Sequence, residues 1–319
     1  SDEDQFAMIW KEANKRFDEY GNDKVVGTNG FYAMKAHWSE HPDRDETWAE
    51  TERSRIGEER FRREHECEFL IFDETLISSI VLADMEGIPP VETTGQVRWF
   101  KRPTPGHTYM VSLDPSMGTG GDYAAIQVFE LPTFEQIGEW HHNQTPMNQQ
   151  VRILQGINKH IYDTIMEQDA SATPQIFYSM ENNTIGEAAL MRVMDIGEEN
   201  IQGMFLSEPI RKGHRRKFRR GFNTTAKHKI DACTKFKELV ENDKMKINSQ
   251  LLISEMKDFV ASGLSYKAKP GQHDDLVSAC LLMTRMMKVL ADFDPKIFEK
   301  WTDRTSEITP MPIFGSFTG

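Results

Sequence analysis

The chain has 319 residues, with 50 Asp and Glu against 38 Lys and Arg and a formal charge of −12. Hydrophobic residues make up 38% of it, enough for a substantial core, which excludes wholesale disorder. The apolar runs are too short for a transmembrane helix, and the first residues lack the pattern of a signal peptide, so we expect neither. The widely spaced Cys67, Cys233 and Cys280 exclude a disulfide framework and a cysteine zinc site and favour a reducing compartment.

Residues 1–90 are dense in charge and predict short helices over 10–21 and 51–68. We expect this part to be a charged helical linker or small subdomain. Prolines at 89–90 and the Pro- and Gly-containing run at 102–106 mark its end.

Residues 91–295 alternate regularly between strand and helix patterns. Strands are predicted over 109–113, 123–131, 136–142, 175–180 and 201–206, and helices over 151–165, 185–194, 227–242, 251–260 and 276–290. The first three strands follow one another in hairpin order, which makes them antiparallel. The pattern predicts an α/β fold with a mixed sheet and helices on both faces. Residues 296–319 are predicted to be an irregular tail.

Carboxylates stand at the ends of three predicted elements. Asp114 ends the first strand, Glu181 follows the fourth, and Asp274 and Asp275 precede the last helix. Asp122 lies on the far side of the Gly-rich turn after Asp114. Some of these acids also have a purely structural explanation. Asp-Pro often starts a turn, and one Asp of the pair at 274–275 can cap the helix. A cap needs only one acid, so one carboxylate of the pair remains unexplained.

Several carboxylates that converge repel one another unless a cation joins them. Mg²⁺ and Mn²⁺ prefer oxygen ligands, and two such ions assist phosphodiester cleavage. Other chemistries find no support, since no Gly precedes a Lys as a Walker A motif requires, and neither a zinc-protease motif nor a nucleophile elbow is present.

A basic block interrupts the acidic chain at residues 211–220. It predicts contacts with a phosphate backbone, although a solvated basic turn is the ordinary alternative. The candidate DNA-binding residues are Arg211, Lys212, Arg215, Arg216, Lys217, Arg219 and Arg220, followed by Lys227 and Lys229.

Over about residues 40–290 the sequence resembles the ribonuclease H-like nuclease domain of terminase large subunits from tailed phages, with a close likeness to the T-even-like phages. The resemblance is carried by LDPSMGTGGDYAAIQVFE, by ENNT after the fourth strand, by GQHDDLVSACLL and by EERFRREHECEF. It implies a ribonuclease H-like fold in which Asp114, Glu181 and Asp275 are the catalytic metal-binding acids, with Asp122 and Asp274 as accessory ligands. The choice of Asp275 over Asp274 rests on the resemblance alone.

The resemblance also implies a reaction and a setting. The expected activity is divalent-metal-dependent cleavage of concatemeric viral double-stranded DNA with little sequence specificity, using Mg²⁺ or Mn²⁺. The expected partners are a portal ring and a terminase small subunit, without a membrane, in the host cell cytoplasm and transiently at the prohead portal. Because Walker motifs are absent, we expect this chain to be the nuclease half of a longer subunit.

Two alternatives to this function stay open. One is another ribonuclease H-like DNA enzyme, such as a junction resolvase or a transposase. The other is a non-catalytic DNA-binding or packaging assembly module in which the acids are only structural. Divalent-metal-dependent nicking of plasmid DNA separates the module from both enzymes.

Overall fold

The computed structural model describes residues 9–10, 12–15, 25–66, 75–183, 185–209, 220–263 and 265–293. The described strands are β1 (Glu92–Thr94), β2 (Val97–Trp99), β3 (Thr108–Asp114), β4 (Ala124–Leu131), β5 (Glu135–His142), β6 (Gln175–Met180), β7 (Met204–Phe205), β8 (Phe259–Ser262) and β9 (Ser265–Ala268). The first seven form one sheet in the order β1-β2-β5-β4-β3-β6-β7, and β8 and β9 form a separate hairpin.

The sheet is mixed. Strands β3, β4 and β5 pair antiparallel in hairpin order, and β1 and β2 extend this antiparallel half beyond β5. Strand β6 then pairs parallel to the other edge of β3, and β7 pairs parallel to β6. The predicted α/β class with antiparallel first strands is therefore confirmed.

The described helices are α1 (Glu46–Ile56), α2 (Glu58–His65), α3 (Ser79–Asp84), α4 (Met147–Gln168), α5 (Gly186–Ile196), α6 (Ala226–Glu241), α7 (Gln250–Asp258) and α8 (Asp275–Phe293). Short 3-10 helices lie at Trp38–Glu40 and Glu198–Asn200.

Helices cover both faces of the sheet. Tyr109, Val111 and Leu113 of β3 pack against α4 and α5, while Met110 on the opposite face belongs to the core formed with α6, α7 and α8. Because both faces of β3 are covered, its first six residues are all buried, which explains a nearly continuous apolar run rather than an alternating one. The strand changes character at its last residue, Asp114, which is partly exposed.

The N-terminal helices have a small aromatic cluster of their own. Trp38, Ala49 and Phe61 are buried there. An ion pair of 2.7 Å between Arg62 and Asp84 connects α2 to α3, and Leu82 of α3 packs in the core beneath α7 and α8. The predicted limits of the linker and nuclease domains stay a prediction.

Three predicted elements differ from the observed ones. The helix over 51–68 is interrupted at Gly57, whose φ of +84° favours glycine and separates α1 from α2. The helix over 251–260 ends at Asp258, because the next residues start β8 and pair with β9. The strand over 201–206 contains only two residues in strand conformation. Most of the helix over 10–21 and the tail at 296–319 lie outside the described residues.

No helix among the described residues is both long enough and apolar enough to cross a membrane. Cys233 and Cys280 are buried free thiols, as expected, and Cys67 lies outside the described part of the chain.

Candidate active site

The parallel pairing of β3 with β6 places Asp114 and Glu181 side by side. Leu113 is the register partner of Met180, and the Glu181 N–H donates to the Leu113 carbonyl at 3.1 Å. Two parallel strands end at the same edge of a sheet, so the next side chain of each strand emerges together. The carboxyl group of Glu181 lies close enough to Asp114 for its charge to raise the pKa of that acid.

Helix α8 brings the third acid to this edge. The helix packs over β3 and β4, and the Ser112 hydroxyl donates to the Ala279 carbonyl at 2.8 Å. The helix begins at Asp275, and two residues earlier the His273 ring meets the Tyr123 ring edge-on, with centroids 4.7 Å apart. Asp122 directly precedes that tyrosine, so the turn between β3 and β4 lies against the start of α8.

Asp274 lies next to this group with contacts of its own. Its Oδ2 accepts from the Ala268 N–H at 3.2 Å and is 3.9 Å from Lys229 Nζ. The structure thus brings all five predicted acids to one region, although Asp274 is tied to β9 and α6.

The electrostatics of the acids reflect this crowding. Burial, followed by the nearby carboxyl group of Glu181, raises the pKa of Asp114 well above its ordinary value, and the charges of Asp275 and Asp274 add to the rise. Burial and then the charge of Asp274 raise the pKa of Asp275 to about 6, against the opposing effects of His273 and the Tyr123 N–H. Each carboxylate makes the ionisation of its neighbour harder.

The donor set suits a hard divalent cation. Asp275 Oδ2 is buried and has no hydrogen-bond partner among the described residues, and at 3.7 Å His273 Nδ1 is beyond hydrogen-bonding distance. A buried carboxylate oxygen without a partner is costly, and a cation relieves that cost. No group of three His, Cys, Asp or Glu in the described ranges is arranged to hold a metal ion as it stands. If Asp114, Glu181 and Asp275 bind one ion together, as predicted, their side chains must draw closer together.

Asp114 and Glu181 line a pocket of about 150 Å³ that has a basic wall as well. Lys229, His228 and Arg285 line the same pocket. Lys229 was a predicted DNA-binding residue, whereas His228 and Arg285 were missed. The sequence did contain a signal for Arg285, because it is the only charged residue in the apolar run from 276 to 287.

Arg285 fixes the segment on either side of the basic block. Its guanidinium pairs with Glu208 and donates to the Asn223 carbonyl at 3.0 Å and to Thr224 Oγ1 at 2.9 Å. The Glu208 N–H in turn donates to the Gly221 carbonyl at 3.2 Å. Both flanks of the basic block are thus attached to the helix that begins at Asp275.

Three of the predicted DNA-binding residues are described. Lys229 lines the pocket, Lys227 is exposed in the first turn of α6, and the Arg220 guanidinium forms an ion pair with Glu198. The remaining six lie outside the described residues: Arg211, Lys212, Arg215, Arg216, Lys217 and Arg219.

A further acid near the site, Glu255 in α7, was missed by the sequence analysis. Burial raises its pKa to about 8, the charges of Asp275 and Asp274 add to the rise, and hydrogen bonds from the Val277 and Leu276 N–H groups oppose it. Its Oε1 is 3.6 Å from Nε2 of His141, and burial lowers the pKa of that histidine to about 4. Nothing in the spacing of Glu255 singles it out, because it sits in an ordinary amphipathic helix.

Residues 111–286 match the family model of the terminase RNaseH-like domain. Among solved structures, the large terminase nuclease of thermophilic phage G20c with bound magnesium is 17% identical, over 67% of this chain and 97% of that chain, with a TM-score of 0.49. The Thermus phage P74-26 large terminase nuclease domain is 17% identical over 63% of this chain and 90% of that chain, with a TM-score of 0.45. The manganese-soaked, inhibitor-bound human cytomegalovirus terminase nuclease domain is 12% identical over 70% of this chain and 98% of that chain, with a TM-score of 0.42.

Proposed function

Because the chain belongs to the family of terminase RNaseH-like domains, we propose that it is a divalent-metal-dependent endonuclease that cuts concatemeric viral double-stranded DNA during genome packaging. The observation that carries the proposal is the meeting of Asp114, Glu181 and Asp275 at one sheet edge, inside the segment that matches the family. A junction resolvase or transposase shares this chemistry, but the family match favours the packaging enzyme.

The acids are proposed to act as the metal ligands. Asp114, Glu181 and Asp275 hold the cations, and Asp122 and Asp274 stand beside them as accessory ligands. When bound, two Mg²⁺ or Mn²⁺ ions stabilise the attacking and leaving oxygens of a phosphodiester. The ligands must be ionised for this, and the raised pKa values of Asp114 and Asp275 mean that cation binding would displace protons from these two carboxyl groups.

The basic wall of the pocket is proposed to hold the phosphate. Lys229 Nζ lies between Asp274 and the Phe259 ring, 5.5 Å from the centroid of that ring. An ammonium group there neutralises phosphate charge that the acids would otherwise repel. His228 is fixed by a 2.8 Å hydrogen bond from its Nδ1 to the Asn223 carbonyl, and it lines the pocket beside Lys229.

The DNA duplex on either side of the cleaved bond carries further phosphates that need cationic partners. The basic block at 211–220 has the highest density of Lys and Arg in the sequence. We propose that it contacts the phosphate backbone without reading bases. The attachment of Glu208 to Arg285 supports this, because it anchors one flank of the block at the pocket.

The partners and the place of action are proposed from the family to which the chain belongs. We propose that the chain docks on a portal ring, works with a terminase small subunit and acts in the host cell cytoplasm and transiently at the prohead portal. The likeness to the T-even-like phages and the use of two ions are part of the same proposal.

Replacement of Asp114 by Asn tests the site. The change keeps the side-chain shape and removes a ligand charge, so we expect Mn²⁺ binding measured by calorimetry to weaken and plasmid cleavage to fall by orders of magnitude. The fold should survive, with slightly higher stability without metal, because repulsion among the acids is relieved.

Asp163→Asn is the matched control, because Asp163 lies on α4 and pairs with Lys159 away from the site. It should bind Mn²⁺ and cut as the unaltered protein does. An Asp114→Asn protein that linearises plasmid at the normal rate would refute the assignment. Metal-independent DNA binding without any cleavage by the unaltered protein would instead favour the assembly module.

A further inference from the structure

The N-terminus of α8 is capped by an acid from another helix. Glu255 of α7 has only 9% of its surface exposed, and its Oε2 accepts from the N–H groups of Leu276 at 2.8 Å and Val277 at 3.1 Å. These are the second and third N–H groups of α8, the ones that an N-cap side chain normally binds. Leu276 and Val277 are fully buried, so water does not supply the missing acceptor.

Asp274 holds the N-cap position but does not cap the helix with its side chain. Its carbonyl accepts from the Ser278 N–H at 2.7 Å, as an N-cap residue's carbonyl does, yet its carboxylate is bonded to the Ala268 N–H. Asp is among the best capping residues, so this departure needs a cause. The cause is that Glu255 already occupies the N–H groups that the Asp274 side chain would take.

We propose that Glu255 is a positioning residue for the metal-binding acids, an inference that rests on the proposed function. By capping α8 from outside, it leaves the Asp274 carboxylate bonded to the Ala268 N–H and the Asp275 carboxylate among the acids, rather than at the helix end. Without it, the buried N–H groups of Leu276 and Val277 draw in the Asp274 carboxylate. That rotation breaks its contacts with Ala268 and Lys229 and disturbs Asp275, the next residue.

The surroundings of Glu255 keep it in place. Ser249 is the N-cap residue of α7, and its hydroxyl accepts from the Leu252 N–H at 3.1 Å and donates to buried Glu139 at 2.5 Å. The second carboxylate oxygen of Glu255 faces His141, and that ring stacks on Tyr123 with centroids 4.1 Å apart. Tyr123 in turn contacts the His273 ring, with centroids 4.7 Å apart, so Glu255 is linked to the segment before Asp275 through the β3–β4 turn as well as through the cap of α8.

Two replacements of Glu255 separate capping from charge. Glu255→Ala removes the acceptor, so Mn²⁺ affinity measured by calorimetry should fall by about tenfold or more, as it does for other residues that orient metal ligands. Glu255→Gln keeps an oxygen for the two N–H groups, and its amide N–H can donate to His141. Its Mn²⁺ affinity should stay within about twofold of the unaltered protein, since the acceptor is retained.

Asp45→Ala is the matched control for simple loss of a cap, because Asp45 accepts from the Trp48 N–H at 2.8 Å at the start of α1. It should lower thermal stability without changing Mn²⁺ affinity. If Glu255→Ala does not fold, Glu255→Met keeps the packing volume and removes the same acceptor.

Normal Mn²⁺ affinity in the Ala or Met protein would overturn the inference, as would an equal loss in the Gln protein. Failure of the unaltered protein to bind Mn²⁺ would instead count against the proposed function, so the two failures are distinguishable.

Discussion

The hydroxyl of Ser112 donates to the carbonyl of Ala279 at 2.8 Å, and this one bond joins the strand that ends in Asp114 to the helix that begins at Asp275. Ser112 is fully buried and stands two residues before Asp114. The bond therefore fixes how far α8 slides along β3, and with it the separation of the two acids.

Ser112→Ala removes this bond. We expect a loss of about 1 kcal/mol in the free energy of unfolding, the usual contribution of one buried hydrogen bond. Metal-dependent cleavage should fall more than this stability change explains, because the position of α8 along β3 is then less tightly fixed.

The control for Ser112 is Thr108→Val at the opposite end of β3, where the hydroxyl donates to Gln175 Oε1 at 2.9 Å. Urea unfolding and plasmid cleavage measured on both variants give the comparison. Equal cleavage by the two variants would show that the Ser112 bond contributes stability only.

The raised pKa of Asp275 predicts a pH dependence of the metal-free protein. Its pKa is about 6 in the fold against an ordinary 3.8, so the folded state binds the proton more tightly than the unfolded state does. The contribution of this group to stability therefore increases as the pH falls through about 6, by at most about 3 kcal/mol. Asp275→Asn lacks this dependence.

Urea unfolding of both proteins without metal at pH 7 and pH 4.5 tests this sign. The Asn variant should be the more stable protein at pH 7, and the difference should shrink at pH 4.5. A difference that does not change with pH would contradict the prediction. Mg²⁺ should reverse the trend, because it binds the ionised carboxylate.

Neutralising part of the basic block should weaken DNA binding without changing sequence preference. Replacing Arg215, Arg216, Arg219 and Arg220 by Gln should lower the affinity for unrelated duplexes about equally. The slope of log affinity against log salt should flatten by up to about one unit for each phosphate contact removed.

The control for the basic block replaces four cations elsewhere that already pair with acids: Arg55, Arg60, Lys159 and Lys237. It makes the same change in net charge, so an effect of total charge alone would appear in both variants. Unchanged affinity and slope in the block variant would leave the segment as a solvated basic turn.

The contacts of Arg285 predict that its contribution to stability is coupled to that of Glu208, which flanks the basic block. Its side chain is 12% exposed, and it pairs with Glu208 while donating to two groups at 223–224. Arg285→Lys keeps the charge but removes the several N–H donors of the guanidinium. We therefore expect a loss of about 1–3 kcal/mol in the free energy of unfolding. A double-mutant cycle with Glu208→Gln, followed by urea unfolding, should give a coupling well above zero. Additive effects would show that the pair acts independently.

The sequence predicts the centre of this fold well and its connections less well. Strands β3 to β6 have continuous apolar runs bounded by turn residues, so their existence and order follow from local pattern. Phe259 and Val260 continue the apolar period of α7, and only the pairing with β9 and the bridge to Thr75 turns them into a strand. Such pairings depend on residues distant in the chain, which local periodicity does not report.

The proximity of the predicted acids could be expected from the sequence because they stand at the ends of strongly patterned elements, while their role as metal ligands stays a prediction. Glu255 and Arg285 could not be assigned roles in the same way. Glu255 acts across 21 residues on the start of another helix, and Arg285 acts across 77 residues on Glu208. Their partners become neighbours only when the sheet and helices are assembled.

The pocket is lined by both acidic and basic side chains, and this has a thermodynamic consequence. If the acids bind cations, they no longer repel the phosphodiester. If the basic side chains bind a phosphodiester, they no longer repel the cations. Their binding is then cooperative, and the factor by which the cation raises the affinity for DNA equals the factor by which DNA raises the affinity for the cation. Free cation and free DNA would each bind weakly, so the occupied site would form mainly where the nucleic acid is already in place.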